Sequence, residues 1–158
     1  MASRGVSKFP KNIQPIKSGY RIGIVTTQWH SDITNKLLKG VLDTLKKYGF
    51  KSSAIAIKKV PGSFELPLGA QWIAKEHKAD AVLCLGCIIK GETPHFEYIS
   101  QAVAYGIMEL NLKHNIPFIF GVLTTNTLKQ ARQRSGGKHG HKGVEAALAA
   151  LEMLKNKK

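Results

Sequence analysis

His95 directly follows Gly91-Glu92-Thr93-Pro94, a segment with the marks of a helix start. Thr93 has the character of an N-cap, and Pro94 suits a first helical position. A helix start points free backbone N–H groups outward, where an anion can bind. An imidazole at that place, with an ordinary pKa near ~6.5, suits proton transfer close to the anion. A lone histidine at a helix start also serves as a structural group, and both readings stand on these residues alone. Glu92 is awkward beside an anion, so its side chain is expected to face away while its backbone N–H is used. Further along, Arg134 and Lys142 flank the break Ser135-Gly136-Gly137-Lys138-His139-Gly140. Two cations across such a turn can clamp a phosphate, one as a planar fork and one as a point charge. They are equally read as ordinary basic residues on a helical surface. Glu145, soon after Lys142, is placed to hold Arg134. Flat surfaces complete the inventory: the indole of Trp29 stacks on a heterocycle or packs into a core. Ser63-Phe64-Glu65 adds a second aromatic face and a carboxylate that accepts from hydroxyls or complements a helix dipole.

These residues need a frame, and the chain alternates in a way that supplies one. Residues 20–26 predict a short apolar strand. From Ile33, the positions Leu37, Val41, Leu45 and Tyr48 recur every three or four residues and describe one helix face, capped by Ser31 or Asp32 and stopped at Gly49. Residues 51–60 read as a second strand. Val60-Pro61-Gly62-Ser63 turns into a helix at 64–77, with Pro67 tolerated in its first turn. Residues 80–89 are continuously apolar, as expected of a parallel strand covered on both faces. The next helix presents Phe96, Ile99, Val103, Ile107 and Leu110 inward. A fourth strand runs from Phe118 to Leu123, and the remainder is helical apart from the glycine-rich break. The alternation predicts a parallel sheet in a three-layer α/β/α sandwich. Ligands in such sheets sit beyond the carboxyl ends of the strands, here after residues 26, 60, 89 and 123. Every residue singled out above except Glu145 and the two cations lies in one of those segments.

Composition sets the outer bounds. The 158 residues, 43% hydrophobic and 22% charged, suit one ordinary globular domain. No apolar run approaches the ~18 residues of a membrane helix, and Met1 to Gly5 lack the apolar stretch of a secretory leader, so a cytoplasmic protein is expected. Cys84 and Cys87 share one apolar run; they read as buried core residues, neither a disulfide framework nor a metal site. No metal and no cofactor are expected. The net charge of +14 gathers at the two ends of the chain. It attracts phosphate-bearing partners or forms a solvated lysine-rich surface. Aromatic residues are not interleaved with the basic stretches, so a nucleic-acid partner is not expected.

Read together, the strand-end segments resemble lumazine synthase, the penultimate enzyme of riboflavin biosynthesis. The resemblance rests on Val60-Pro61-Gly62-Ser63-Phe64-Glu65, Gly91-Glu92-Thr93-Pro94-His95-Phe96 and Phe120-Gly121-Val122-Leu123-Thr124. It continues through Gln130-Ala131, Arg134 and the run from Gly137 to Ala147, and covers residues 19–155. The implied fold is a four-stranded parallel sheet in the flavodoxin-like order 2-1-3-4, with an arm at 1–18 before a single domain at 19–158. The implied activity is a transferase reaction: 5-amino-6-(D-ribitylamino)uracil condenses with 3,4-dihydroxy-2-butanone 4-phosphate. Its products are 6,7-dimethyl-8-ribityllumazine, phosphate and water. By this likeness Trp29 stacks on the pyrimidine, Ser63 and Phe64 contact the ribityl side, and Glu65 accepts from ribityl hydroxyls. Backbone groups of Ile88 and Ile89 read the pyrimidine edge. Glu92 and Thr93 hold phosphate with Arg134, and His95 matches the proton-transfer histidine. Phe120 and Lys142 match positions that complete the site from a neighbouring subunit. The chain departs from the family at Trp29-His30, where Phe-Asn is common, and at His141, where Asn is common. His141 adjoins the phosphate-contacting lysine and is placed to alter pH dependence.

The likeness also implies a homopentamer with sites between subunits, and some members assemble twelve pentamers into an icosahedral 60-mer. The compact turn at 136–140 resembles the shell-forming members, so the 60-mer is favoured, with riboflavin synthase as a possible cargo. Two other functions remain to be set against the enzyme. A non-catalytic flavin or lumazine carrier on the same scaffold binds ligand but forms no product. A nucleic-acid-binding shell protein, using the basic ends, binds in a strongly salt-dependent way.

Overall fold

The computed structural model describes Ile16 and residues 19–157. Four strands, β1 (Ile22–Thr27), β2 (Ile55–Val60), β3 (Ala81–Ile89) and β4 (Phe118–Thr125), form one parallel sheet in the order β2-β1-β3-β4. The connections are helical: α1 (Ser31–Lys47), α2 (Leu66–Glu76) and α3 (His95–His114), with α4 (Leu128–Arg134) and α5 (Lys142–Asn156) after β4. A short antiparallel pair, β5 (Ser135–Gly137) and β6 (Gly140–His141), joins α4 to α5. The expected architecture and strand order are observed. The expected arm at 1–18 lies, apart from Ile16, outside the described residues.

Alternation along the strands builds two cores. Ile22 and Ile24 of β1 and Leu83, Leu85 and Cys87 of β3 pack with α1 and α5; Val25, Val82, Cys84 and Ile88 pack with α2 and α3. Both cysteines are free and buried, on opposite faces, and burial pushes each thiol up to about 12. They are core residues, as expected. Asn111 ties α3 to β4: its amide oxygen accepts from the Phe118 N–H and its amide nitrogen donates to the Phe118 carbonyl, at 2.8 and 2.9 Å.

Element boundaries differ from the sequence reading where local turns intervene. Residues 52–54 form a 3-10 turn, so β2 begins at Ile55 rather than at 51. Ser63–Glu65 is likewise a 3-10 turn, and α2 begins at Leu66 with Pro67 in its first turn. Neither Ser31 nor Asp32 caps α1. His30 occupies the cap position in the left-handed conformation (φ 55°), a sharp corner that a hydrophobic periodicity does not report. Gly49 does stop α1, with φ 89° just beyond the last turn.

Candidate active site

In sheet order, the chain leaves β1 toward β2 on one side and later fills β3 and β4 on the other. The crevice between the ends of β1 and β3 is therefore the topological switch point, where open sheets bind ligands. The loops after β1 and β2 are fastened together there by main-chain bonds. The Gln28 N–H donates to the Val60 carbonyl (2.9 Å) and the Trp29 N–H to the Pro61 carbonyl (3.0 Å). Thr34 Oγ1 donates to the Thr27 carbonyl and Thr27 Oγ1 to the Trp29 carbonyl, pinning the corner at His30. Trp29 is consequently held out from the core, 66% exposed, with its indole against the backbone of Gly62. A Cβ on Gly62 would stand 2.5 Å from the ring, so only glycine admits this approach. Phe64 is 59% exposed nearby in sequence, while Ser63 is buried against Gly86 of β3, its hydroxyl without a partner among the described residues. Glu65 Oε2 accepts from the Gly62 N–H at 3.0 Å. That bond closes the 3-10 turn at Ser63–Glu65, and Oε1 makes no hydrogen bond among the described residues.

β3 outruns its neighbour. Its register with β1 ends at Leu85, whereas its register with β4 continues to Ile89 opposite Thr125. From Gly86 to Ile89 the main chain has a sheet partner on the β4 side alone. Successive residues of a strand turn their main-chain groups to alternate sides, and the Val82 and Lys90 N–H groups bond toward β4. The main-chain groups of Cys87 and Ile89 therefore face the crevice, while those of Ile88 face β4. The side chain of Ile88 is itself buried.

After β3, Glu92, Thr93 and His95 are all exposed. α3 starts one residue later than expected: Pro94 holds the cap position, no side chain caps it, and His95 is the first helical residue. Thr93 is therefore not the N-cap. The N–H groups of Glu97 and Tyr98 donate to the Pro94 carbonyl. Those of His95 and Phe96 have no backbone partner among the described residues, which leaves the positive end of a 20-residue helix open beside an imidazole.

Arg134 ends α4 and meets Glu145 of α5 end-on, with Nη1 to Oε1 at 2.8 Å and Nη2 to Oε2 at 3.0 Å. Nη1 also donates to the His139 carbonyl. Three of the five guanidinium N–H groups are thereby used, and the two that remain, on Nε and Nη2, form the side-on fork that grips a phosphate or carboxylate. Lys142 Nζ lies 3.9 Å from Glu145 Oε2, so one carboxylate orders both cations. The Arg134 hydrogen bonds hold the Glu145 carboxyl below the usual range, outweighing its partial burial.

Two features escaped the sequence reading. Gly62 backs the exposed indole of Trp29, a contact that residue 62 does not announce in sequence. The ring of His141 lies in a notch of α1 at Gly40. Phe120 stands within β4, opposite Cys84 and packed toward α2 and α3, away from the carboxyl ends of the strands. Among the described residues no three His, Cys, Asp or Glu side chains are grouped to hold a metal, and no helix is long and apolar enough to cross a membrane.

A family model for 6,7-dimethyl-8-ribityllumazine synthase matches residues 19–158. The chain is 48% identical over 153 residues to the 6,7-dimethyl-8-ribityllumazine synthase of Parabacteroides distasonis, covering 97% of this chain and 96% of the relative. It is 50% identical over 153 residues to that of Cytophaga hutchinsonii, with the same two coverages. To that of Porphyromonas gingivalis it is 45% identical over 152 residues, covering 96% and 94%. With a four-stranded sheet of order 2-1-3-4 and full-length matches of this kind, the chain belongs to the 6,7-dimethyl-8-ribityllumazine synthase family.

Proposed function

We propose that the family's activity, formation of 6,7-dimethyl-8-ribityllumazine in riboflavin biosynthesis, is carried out in the crevice between the ends of β1 and β3 with the β5–β6 hairpin as its phosphate side. The pyrimidine of 5-amino-6-(D-ribitylamino)uracil stacks on Trp29, and the ribityl chain passes Ser63 and Phe64 to Glu65. The pyrimidine edge reads the main chain at Ile89, the one of the expected pair Ile88 and Ile89 whose main-chain groups face the crevice. The phosphate of 3,4-dihydroxy-2-butanone 4-phosphate lies at the start of α3, near Glu92 and Thr93, in the side-on fork of Arg134. The observation that carries this reading is that fork: Glu145 takes the end of the guanidinium and leaves the edge that matches a phosphate.

Imine formation, loss of phosphate, tautomerisation and ring closure require repeated proton transfers, and His95 serves them from the first turn of α3. The departing phosphate is stabilised by Arg134 and the open N–H groups of that turn. Holding two substrates in one crevice supplies much of the remaining acceleration. The test is to mix both substrates with the protein and follow lumazine absorbance. Product formation supports the enzyme, and tight riboflavin binding without product would establish the carrier instead.

The reading extends to assembly. Tyr98, Tyr105, Met108 and Leu112 form an exposed apolar row along α3, and Leu68 and Trp72, one turn apart, form a second patch on α2. Rows of this kind are covered by partners. A homopentamer in which Phe120 and Lys142 of one subunit complete a neighbour's site, with Arg134 brought to the same junction because Glu145 holds it beside Lys142, accounts for the place of Phe120 far from its own crevice. The tight β5–β6 turn favours association of twelve such pentamers into a 60-mer, in which riboflavin synthase would be the cargo, over the pentamer alone. Sedimentation velocity separates the two. The free, buried Cys84 and Cys87 accord with a cytoplasmic location.

A further inference from the structure

His141 is the last residue of β6 and immediately precedes Lys142. Its ring does not face solvent freely but fills a notch in α1. A Cβ built on Gly40 would lie 2.2 Å from Cε1, 2.6 Å from Nε2 and 2.8 Å from Nδ1, so the notch exists only because residue 40 is glycine. On its other side the ring abuts Gly136 of β5, where a Cβ would lie 3.0 Å from Cδ2. β6 pairs with β5 through Ser135 and His141, and Ser135 follows Arg134 in the chain. One side chain thus keys the hairpin between both cations to the long helix α1.

The seat accepts a neutral ring. Nδ1 is buried and has no hydrogen-bond partner among the described residues. An imidazolium carries a proton on both nitrogens, so protonation would add a buried N–H that no side chain there accepts, with only the backbone of His141 itself favouring it through a hydrogen bond. The charged groups facing the ring are Asp43 and Lys39 of α1, paired with each other, and Glu145 of α5, paired with Arg134 and close to Lys142. The attraction of Glu145 and Asp43 is outweighed by desolvation, and the His141 pKa lies below its ordinary value.

We propose that His141 is a positioning residue for the phosphate: seated uncharged at Gly40, it fixes the hairpin that sets Arg134 and Lys142, and its protonation releases that hairpin. The inference rests on the phosphate reading of the Arg134 fork given above. The linkage has a definite sign. A histidine held neutral in the folded state contributes fully above its ordinary pKa, and that contribution is lost as pH falls through the lowered value. Phosphate affinity should therefore weaken in acid beyond what titration of the ligand itself explains.

The test compares full-length wild type with His141→Gln, which occupies the notch but cannot be protonated. The affinity of each for inorganic phosphate is measured by calorimetry from pH 7.5 down to 5.0, with lumazine formation followed in parallel. Taking the ratio of the two proteins cancels the titration of phosphate and of every group the two proteins share. The expected result is a ratio that shifts against wild type by about fivefold or more across this range, as for a fractionally populated competent state. KM for the pyrimidine should keep an unchanged ratio. Gly40→Ala, which expels the ring at every pH, should weaken phosphate as much as His141→Ala. The double variant should be no worse than either, the signature of one shared contact. A flat ratio, or additive losses in the double variant, would overturn the proposal. Lumazine formation with a flat ratio overturns this inference alone, whereas a sloping ratio without lumazine formation overturns the catalytic reading alone.

Discussion

The two sides of the candidate site are built by different physics. The side proposed for the pyrimidine is wired through main chain: Gln28 and Trp29 bond to Val60 and Pro61, Gly62 admits the indole, and β3 overhangs β1. The side proposed for the phosphate is held by side chains: a guanidinium, a lysine, a carboxylate and one wedged imidazole around a small hairpin. A main-chain scaffold is indifferent to pH and salt, whereas an ion-pair scaffold responds to both. The contrast teaches where sensitivity should reside. Conditions should act on the butanone phosphate, and steric changes on the pyrimidine.

Four experiments put that contrast at risk. The largest effect is expected from His95→Ala, which should lower kcat by about a hundredfold without abolishing turnover, the lower end of general acid–base contributions. Complete loss of turnover with both affinities intact would contradict the positioning account. Arg134→Ala comes next. Loss of charge-assisted bonds worth about 1.5–3 kcal/mol should raise KM for the butanone phosphate by about ten- to a hundredfold and leave the pyrimidine KM unchanged. The reverse pattern would reject the assignment of the two sides. Gly62→Ala drives a methyl into the Trp29 ring and should raise the pyrimidine KM by about tenfold, an effect equal at pH 6 and 8. A pH-dependent loss there would erase the distinction drawn above. Glu145→Gln should have the smallest effect, a rise in phosphate KM of about threefold at neutral pH. Its carboxyl is depressed by Arg134, so the stability it confers is present above the ordinary carboxylate pKa and lost as pH falls through the lowered value. Unfolding curves of wild type and variant should therefore converge in acid, and a gap that widens there would refute the pairing.

The fold was legible because its signals are periodic. Helical spacing from Ile33 to Leu45 and the unbroken apolar run to Ile89 mark buried surfaces, and buried surfaces define elements. Corners were not legible. The left-handed His30, the 3-10 turn at 52–54 and the cap at Pro94 depend on local backbone choices that hydrophobicity does not encode. Of the site, Arg134 and Glu145 were readable as a pair, since opposite charges across a turn seek each other. The notch at Gly40 was not, because nothing in residue 40 or residue 141 announces the other until α1 and the hairpin are packed together.

The four-residue overhang of β3 carries a consequence for how this protein can change. What a flat ring would meet there on the proposed reading is peptide, and peptide groups are the same whatever residue bears them. Replacing Ile89 by valine should scarcely register, and a heteroaromatic inhibitor anchored on that ledge would meet resistance only through mutations elsewhere, at Trp29 or Gly62, where an altered side chain reaches the ring.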